Sequence, residues 1–107
     1  MKAYALGHLR NVVQGPDIVE YLRNIDATLA PFGGRFIVHG GKADVLEGTW
    51  SGDLIIIEFP DRNSAHAWYR SDAYRRILPL RLNNAEGAVI IIEGVAQDHR
   101  ALDVLAA

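Results

Sequence analysis

No cysteine occurs among the 107 residues, which excludes a disulfide framework, a thiolate nucleophile and any cysteine-ligated zinc or iron–sulfur centre. Charge of one sign is also scarce. Eleven basic residues face thirteen acidic ones, for a formal net charge of -2, and without a clustered basic face no nucleic-acid partner is expected. No apolar run is long enough for a signal core or a membrane span, so no membrane partner and a cytoplasmic location are expected. Missing too are a Gly-x-Gly-x-x-Gly fingerprint, a Gly-x4-Gly-Lys-Ser/Thr phosphate loop and a Gly-x-Ser-x-Gly elbow. Thr28, Thr49, Ser51, Ser64 and Ser71 have no His–Asp arrangement beside them, which sets serine hydrolysis aside. Neither Gly-Gly pair leads into a helix, so both read as turn and bulge devices rather than phosphate cradles.

What is present is 50% hydrophobic and 22% charged residues, enough for one domain and too little for two. A chain this short buries about 60–65% of the surface its unfolded form exposes, a range in which a partner subunit often completes the core. Four runs have strand character: Ala3–Arg10, Arg35–Gly40, Leu54–Phe59 and Ala88–Glu93. Val45-Leu46-Glu47 is a possible extension of the second. Between the first two lies Pro16–Ala30, with proline at N1, Asp17 and Glu20 in the first turn, and Ile18, Tyr21, Leu22, Ile25 and Leu29 at helical spacing. Pro31 and Gly33-Gly34 stop it. A second, broken helix starts after Asp61, carries Ala65, Trp68 and Tyr69, is recapped at Ser71 and runs through Tyr74 and Ile77 to Pro79.

The order βαββαβ defines an α+β, ferredoxin-like fold: a four-stranded antiparallel sheet in the order 4-1-3-2 with both helices on one face. The domain spans residues 1–95. Residues 96–107 form a tail whose Ala101, Leu102, Val104 and Leu105 suggest a short helix or an arm onto a partner. Alternation divides each strand between two faces. Ala3, Ala5, Gly7, Leu9, Phe36, Val38, Ile55, Ile57, Phe59, Ile90 and Ile92 are assigned to the helix side. Tyr4, Leu6, His8, Arg10, Arg35, Ile37, His39, Leu54, Ile56, Glu58, Val89, Ile91 and Glu93 are assigned to the other. That second face holds six large aliphatics whose burial contributes roughly 1.5–3 kcal/mol each, and a second sheet is the expected cover. A homodimer packed sheet to sheet follows.

The segments Phe32-Gly-Gly-Arg-Phe-Ile-Val-His-Gly-Gly41, Leu46-Glu-Gly-Thr-Trp50, Ile57-Glu-Phe-Pro60, Ala67-Trp-Tyr-Arg-Ser71 with Ala73-Tyr74, and Glu93-Gly-Val95 resemble the domain of unknown function family 1330. That family lies in the dimeric α/β-barrel superfamily, and the resemblance runs from about Tyr4 to Val95. It implies a small-molecule cavity in each half of a two-subunit barrel. Superfamily relatives include cofactor-independent monooxygenases, muconolactone isomerases, polyketide cyclases and haem-degrading or chlorite-dismutating enzymes. This chain departs from the family pattern at His39, where arginine is usual, and at Ser71-Asp72, where Ser-Pro is usual.

With the first and third strands taken as parallel neighbours, Glu58, Arg35 and His8 are expected to cluster as a base, a charge stabiliser and an orienting group. The bland alternative is a buried ion pair. Tyr4, Glu93 and His39 are expected towards the other end of the polar face, with His39 a second acid/base candidate. Because His8 and His39 then stand at opposite strand ends, no metal site is expected, nor any other cofactor. Trp50, Trp68 and Tyr69 are candidates for an aromatic rim, although residues at helical spacing are more often plain core. Arg81 and Asn84 offer polar contacts to a carboxylate or phenol. These residues together suit a cofactor-independent isomerase, cyclase or monooxygenase working on a small-molecule ligand by acid/base catalysis. A noncatalytic binding or accessory protein is the alternative.

Overall fold

In the computed structural model, which describes residues 1–106, the chain forms β1 (Ala3–Arg10), α1 (Pro16–Leu29), β2 (Arg35–His39), β3 (Asp53–Phe59), α2 (Arg62–Arg70), α3 (Asp72–Leu82) and β4 (Glu86–Glu93). The four strands make one antiparallel sheet in the order β2-β3-β1-β4, the expected order seen from the other edge. A 3-10 turn over Ala101–Ala106 closes the tail, with Leu102 and Leu105 exposed. Ala107, the last residue of the expected tail, lies outside the described residues.

Local chemistry explains the helices. Pro16 pre-sets the first turn of α1 and Asp17 places negative charge at its positive end. The helix leaves through a short 3-10 turn to Gly33, whose φ of 69° suits glycine. The Asp61 carboxylate caps α2 by accepting from the Ser64 N–H at 2.7 Å. Ser71 is extended (φ -64°, ψ 148°), which separates α2 from α3, and its hydroxyl accepts from the Tyr74 N–H at 3.3 Å. α3 does not stop at Pro79 as expected but continues to Leu82. Near a helix C-terminus proline deletes a single backbone bond, and the Pro79 carbonyl still accepts from the Asn83 N–H at 3.0 Å.

α1, α2 and α3 cover one sheet face. Their shared core contains Trp68, Tyr74, Phe59 and Leu29, all fully buried. Tyr69 packs against it beside Trp68 and Tyr74. Gly40–Gly52 has no regular structure, so Val45-Leu46-Glu47 does not extend β2; Leu46 is almost wholly exposed.

Three placements differ from the sequence reading. β1 and β3 are antiparallel, pairing Tyr4 with Glu58 and His8 with Leu54. The α1 crossover sets β2 parallel to β1 two positions away, and the reversal into β3 fills the gap between them. β4 presents its other face: Ile90 pairs with Leu6 and Ile92 with Tyr4 on the helix-free side, while Ile91 pairs with Ala5 and packs against the core. β2 carries a bulge between Phe36 and Val38, so Val38 pairs with Ile56 on the open face and His39 with Ile55 on the helix side.

Candidate functional site

A cavity of about 270 Å3 lies between the sheet and the helices. Its floor is the middle of β1 and β3, where Ala5 and Gly7 place almost no side-chain volume beneath α1. Ile55 and Ile57 flank this gap, and Ile18, Tyr21 and Ile25 of α1 form the roof. Trp68, Tyr74 and Arg81 complete the inner wall. Gln14, His39, Gly40 and Asp53 are the exposed polar lining residues and mark the opening. The space exists because small residues fall on the central strand where two helix-borne aromatics and an arginine prevent α1 from settling lower.

The inner wall is polar at one place. The hydroxyls of Tyr21 and Tyr74 are 2.7 Å apart, a pairing that gives each buried phenol a partner. Burial, reinforced by the adjacent Tyr74, holds the Tyr21 phenol far above the usual tyrosine range, so it stays protonated. The buried guanidinium of Arg81 lies beside both hydroxyls. Burial opposes its charge, but the two phenols more than offset this, and Arg81 remains cationic. Trp68 is held in place as its Nε1–H donates to Thr28 Oγ1 at 3.0 Å and the Thr28 hydroxyl donates to the Ile25 carbonyl at 2.7 Å. The ring of His39 stacks on Phe36 at 4.2 Å with the planes 9° apart. Without the bulge in β2, residues three apart would project to opposite faces.

The open face is built differently. Glu58 accepts from Lys2 Nζ at 3.2 Å and sits 3.3 Å from Arg35 Nη2. The Lys2 hydrogen bond, with the charges of Lys2 and Arg35, holds its carboxyl below the usual range. At the other end of that face the His8 ring stacks on Trp50 at 4.7 Å, and its Nε2–H donates to the Ser51 carbonyl at 2.6 Å.

The expected residues are thus redistributed. His39, Trp68 and Arg81 line the cavity, and Tyr69 packs behind it. Tyr4, Arg35, Glu58, His8 and Trp50 stand on the open face, away from it. The Glu58–Arg35 pair forms, but His8 lies four residues further along β1 than the partner of Glu58 and does not join them. Glu93 is exposed at the end of β4, opposite Ala3. His8 and His39 share one end of the sheet but lie on opposite faces, and among the described residues no three His, Asp or Glu side chains cluster as a metal site would need. Sequence reasoning overlooked Tyr21 and Tyr74 as site residues. Their available signal was a tyrosine inside each apolar helix stripe, since a buried phenol must find a partner.

The sheet order and the helices on one face define a ferredoxin-like domain with an internal cavity between its layers. Residues 2–95 match the model of the Domain of unknown function (DUF1330) family, and the chain belongs to that family. None of the curated proteins compared with it matches in sequence. Among solved structures it is similar to RPA0582, a protein of unknown function from Rhodopseudomonas palustris, with a TM-score of 0.66, 19% identity, and 89% of this chain and 83% of that one covered. A dimeric ferredoxin-like protein of unknown function from Jannaschia sp. CCS1 gives a TM-score of 0.65 at 14% identity, covering 88% of this chain and all of the other. SnoaB, a cofactor-independent oxygenase from Streptomyces nogalater, gives 0.57 at 10% identity, covering 92% and 98%. At these identities the likeness is one of fold. Among the described residues no helix is long and apolar enough to cross a membrane.

Proposed function

We propose that the chain is a small-molecule enzyme of the cofactor-independent isomerase, cyclase or monooxygenase kind, working in the helix-side cavity of each subunit of a homodimer. One observation carries this reading: the Tyr21–Tyr74 hydroxyl pair and the Arg81 guanidinium form a buried polar patch on the inner wall of the cavity, among apolar side chains. Neutral phenols and a fixed cation donate hydrogen bonds to a substrate oxygen and stabilise negative charge that develops there, as on an enolate or phenolate. His39 at the opening is the acid/base group in this reading, because an imidazole can both accept and donate a proton and the β2 bulge turns it into the cavity. Trp68 is the flat apolar wall. The fold likeness to SnoaB agrees with chemistry that needs no bound cofactor. The dimer is supported by the apolar open face and by the dimeric Jannaschia neighbour.

Glu58, which sequence reasoning placed first as base, is held ionised by two cations on the other face, and in this reading it belongs to the contact between sheets. A noncatalytic binding protein is the second reading, favoured by the lack of any carboxylate among the buried residues of the cavity wall.

A panel of small cyclic ketones, enols and phenols, screened by thermal shift and then by mass spectrometry without added cofactor, separates these readings. Hits that convert to an isomer, a dehydrated ring or an oxygenated product, with a pH-dependent rate that is lost in His39→Gln, support catalysis. Binding without turnover at any pH leaves the binding protein. A panel with no hit on the wild type, where Gly7→Ile is equally inert, overturns the cavity as a site.

A further inference from the structure

We propose that the cavity receives a small organic carboxylate, one anionic group on a compact apolar body, with Arg81 as its counter-ion; this rests on the reading of the cavity as the ligand site and names its ligand class. Arg81 is only 8% exposed. A guanidinium brings five N–H donors and a charge that cannot be shed, and a buried cation without an anion is costly. Yet none of the ion pairs among the described residues includes it: these join Lys2 and Arg35 to Glu58, and His99 to Asp103. Asp17, on the helix that packs against α3, is bound by Asn84 Nδ2 at 3.1 Å and forms no ion pair with Arg81. Asp53, the acidic residue of the cavity lining, is exposed on β3 and forms no ion pair with Arg81. Among the described residues this buried cation has no carboxylate partner.

Donor counting narrows the partner further. No fully enclosed side-chain nitrogen or oxygen among the described residues lacks a hydrogen bond, and the acceptors beside Arg81 are the neutral phenol oxygens of Tyr74 and Tyr21. Two phenol oxygens do not satisfy five N–H donors or neutralise the charge, and the space that the residue lines is the cavity. In the Tyr21–Tyr74 pair one hydroxyl donates to the other, which leaves the second phenolic proton for a third oxygen. Guanidinium N–H groups and one O–H thus stand together with no anionic acceptor among them. A group that only accepts, such as a planar carboxylate, satisfies all of them; a carboxamide or an alcohol brings donors that would oppose donors. One cation matches one negative charge, which disfavours a phosphate dianion. The volume, about 270 Å3, lies below the roughly 300–1,000 Å3 of pockets for drug-sized ligands, so the body is of one or two rings, held by Ile18, Ile25, Ile55 and Ile57.

The test is calorimetric titration of the full chain with benzoate and 2-naphthoate, each against its own carboxamide. At least one carboxylate is expected to bind ten-fold or more tighter than its amide. Arg81→Met, which keeps the apolar stem, should bring that carboxylate down to the amide's affinity and leave the amide unchanged. Should Arg81→Met fail to fold by circular dichroism, Arg81→Lys is expected to retain the preference, and a crystal of the wild type with 2-naphthoate should place the carboxylate on Arg81. Equal or tighter binding of the amides, or a carboxylate directed to the opening at His39 and Asp53, overturns the proposal while the cavity stands as a ligand site. Failure of all four probes to bind at millimolar concentration overturns both.

Discussion

On the covered face of the sheet Ala5, Ile57 and Phe59 are almost without solvent contact, whereas on the open face Ile90 and Ile92 remain about half exposed, at 49% and 50%. Each face also carries polar groups, and these differ in how their charges are met. Glu58 on the open face has two cations within 3.3 Å and needs nothing further. Arg81 on the covered face has two neutral phenols and, among the described residues, no anion. A charge that its own chain already neutralises is a structural feature that sets register or contact between subunits. A buried charge left for an outside partner marks a ligand site. By that criterion the proposed chemistry is assigned to the covered face, and the proposed association to the open one.

The strongest way to break this contrast is to remove the wall that both the core and the cavity share. Trp68→Ala is expected to destabilise the chain by about 3–5 kcal/mol, measured by urea unfolding, because the indole is fully buried and anchored through Thr28. A loss under about 1 kcal/mol would mean that α2 does not seat on the sheet as described. Next in size is the open face. Leu6→Asp places a carboxylate amid Ile56 and Ile90, and light scattering should show the proposed dimer of the wild type converted to monomer with far-UV circular dichroism unchanged. A wild type that is monomeric at micromolar concentration would refute the sheet-to-sheet dimer.

A smaller effect tests the phenol pair. Tyr74→Phe removes one buried hydrogen bond and should cost about 1 kcal/mol, while weakening any cavity ligand that accepts from the pair; unaltered ligand affinity would detach the pair from the site. The smallest effect belongs to Glu58. Its folded carboxyl ionises below the usual value, so its contribution is fully present above the unfolded carboxylate range and is lost as pH falls through the folded value. Acid unfolding of Glu58→Gln should therefore lack that component, and because Lys2 and Arg35 are solvent-exposed, stability at pH 7 should hardly change.

Much of this architecture was legible in the sequence, and where it was not, a physical degeneracy is responsible. Val89-Ile-Ile-Ile92 is apolar at every position, so alternation carries no phase, and only pairing with β1 decides that Ile91 faces the core. Phe36-Ile-Val38 is equally silent, and the bulge within it turns His39 from the expected open face into the cavity. The grouping of Glu58 with His8 failed on strand direction, which is a property of the whole crossover and not of either residue. Tyr21 and Tyr74 stand 53 positions apart, and nothing local to either one announces the other.

What the sequence determined by itself is therefore what short-range interactions can specify. Pro16, Asp61 and Ser71 start the helices and Gly33 ends the turn after the first, because caps and turns act over three or four residues. The βαββαβ order and the apolar stripes of α1 and α2 follow from composition along each element. Tertiary structure alone decided which side of an all-apolar strand is covered, which imidazole reaches the cavity, and that two phenols and a guanidinium from different helices meet there. A side-chain period of two cannot choose a face when both faces are apolar, and a hydrogen bond between distant elements exists only once the sheet has set their distance.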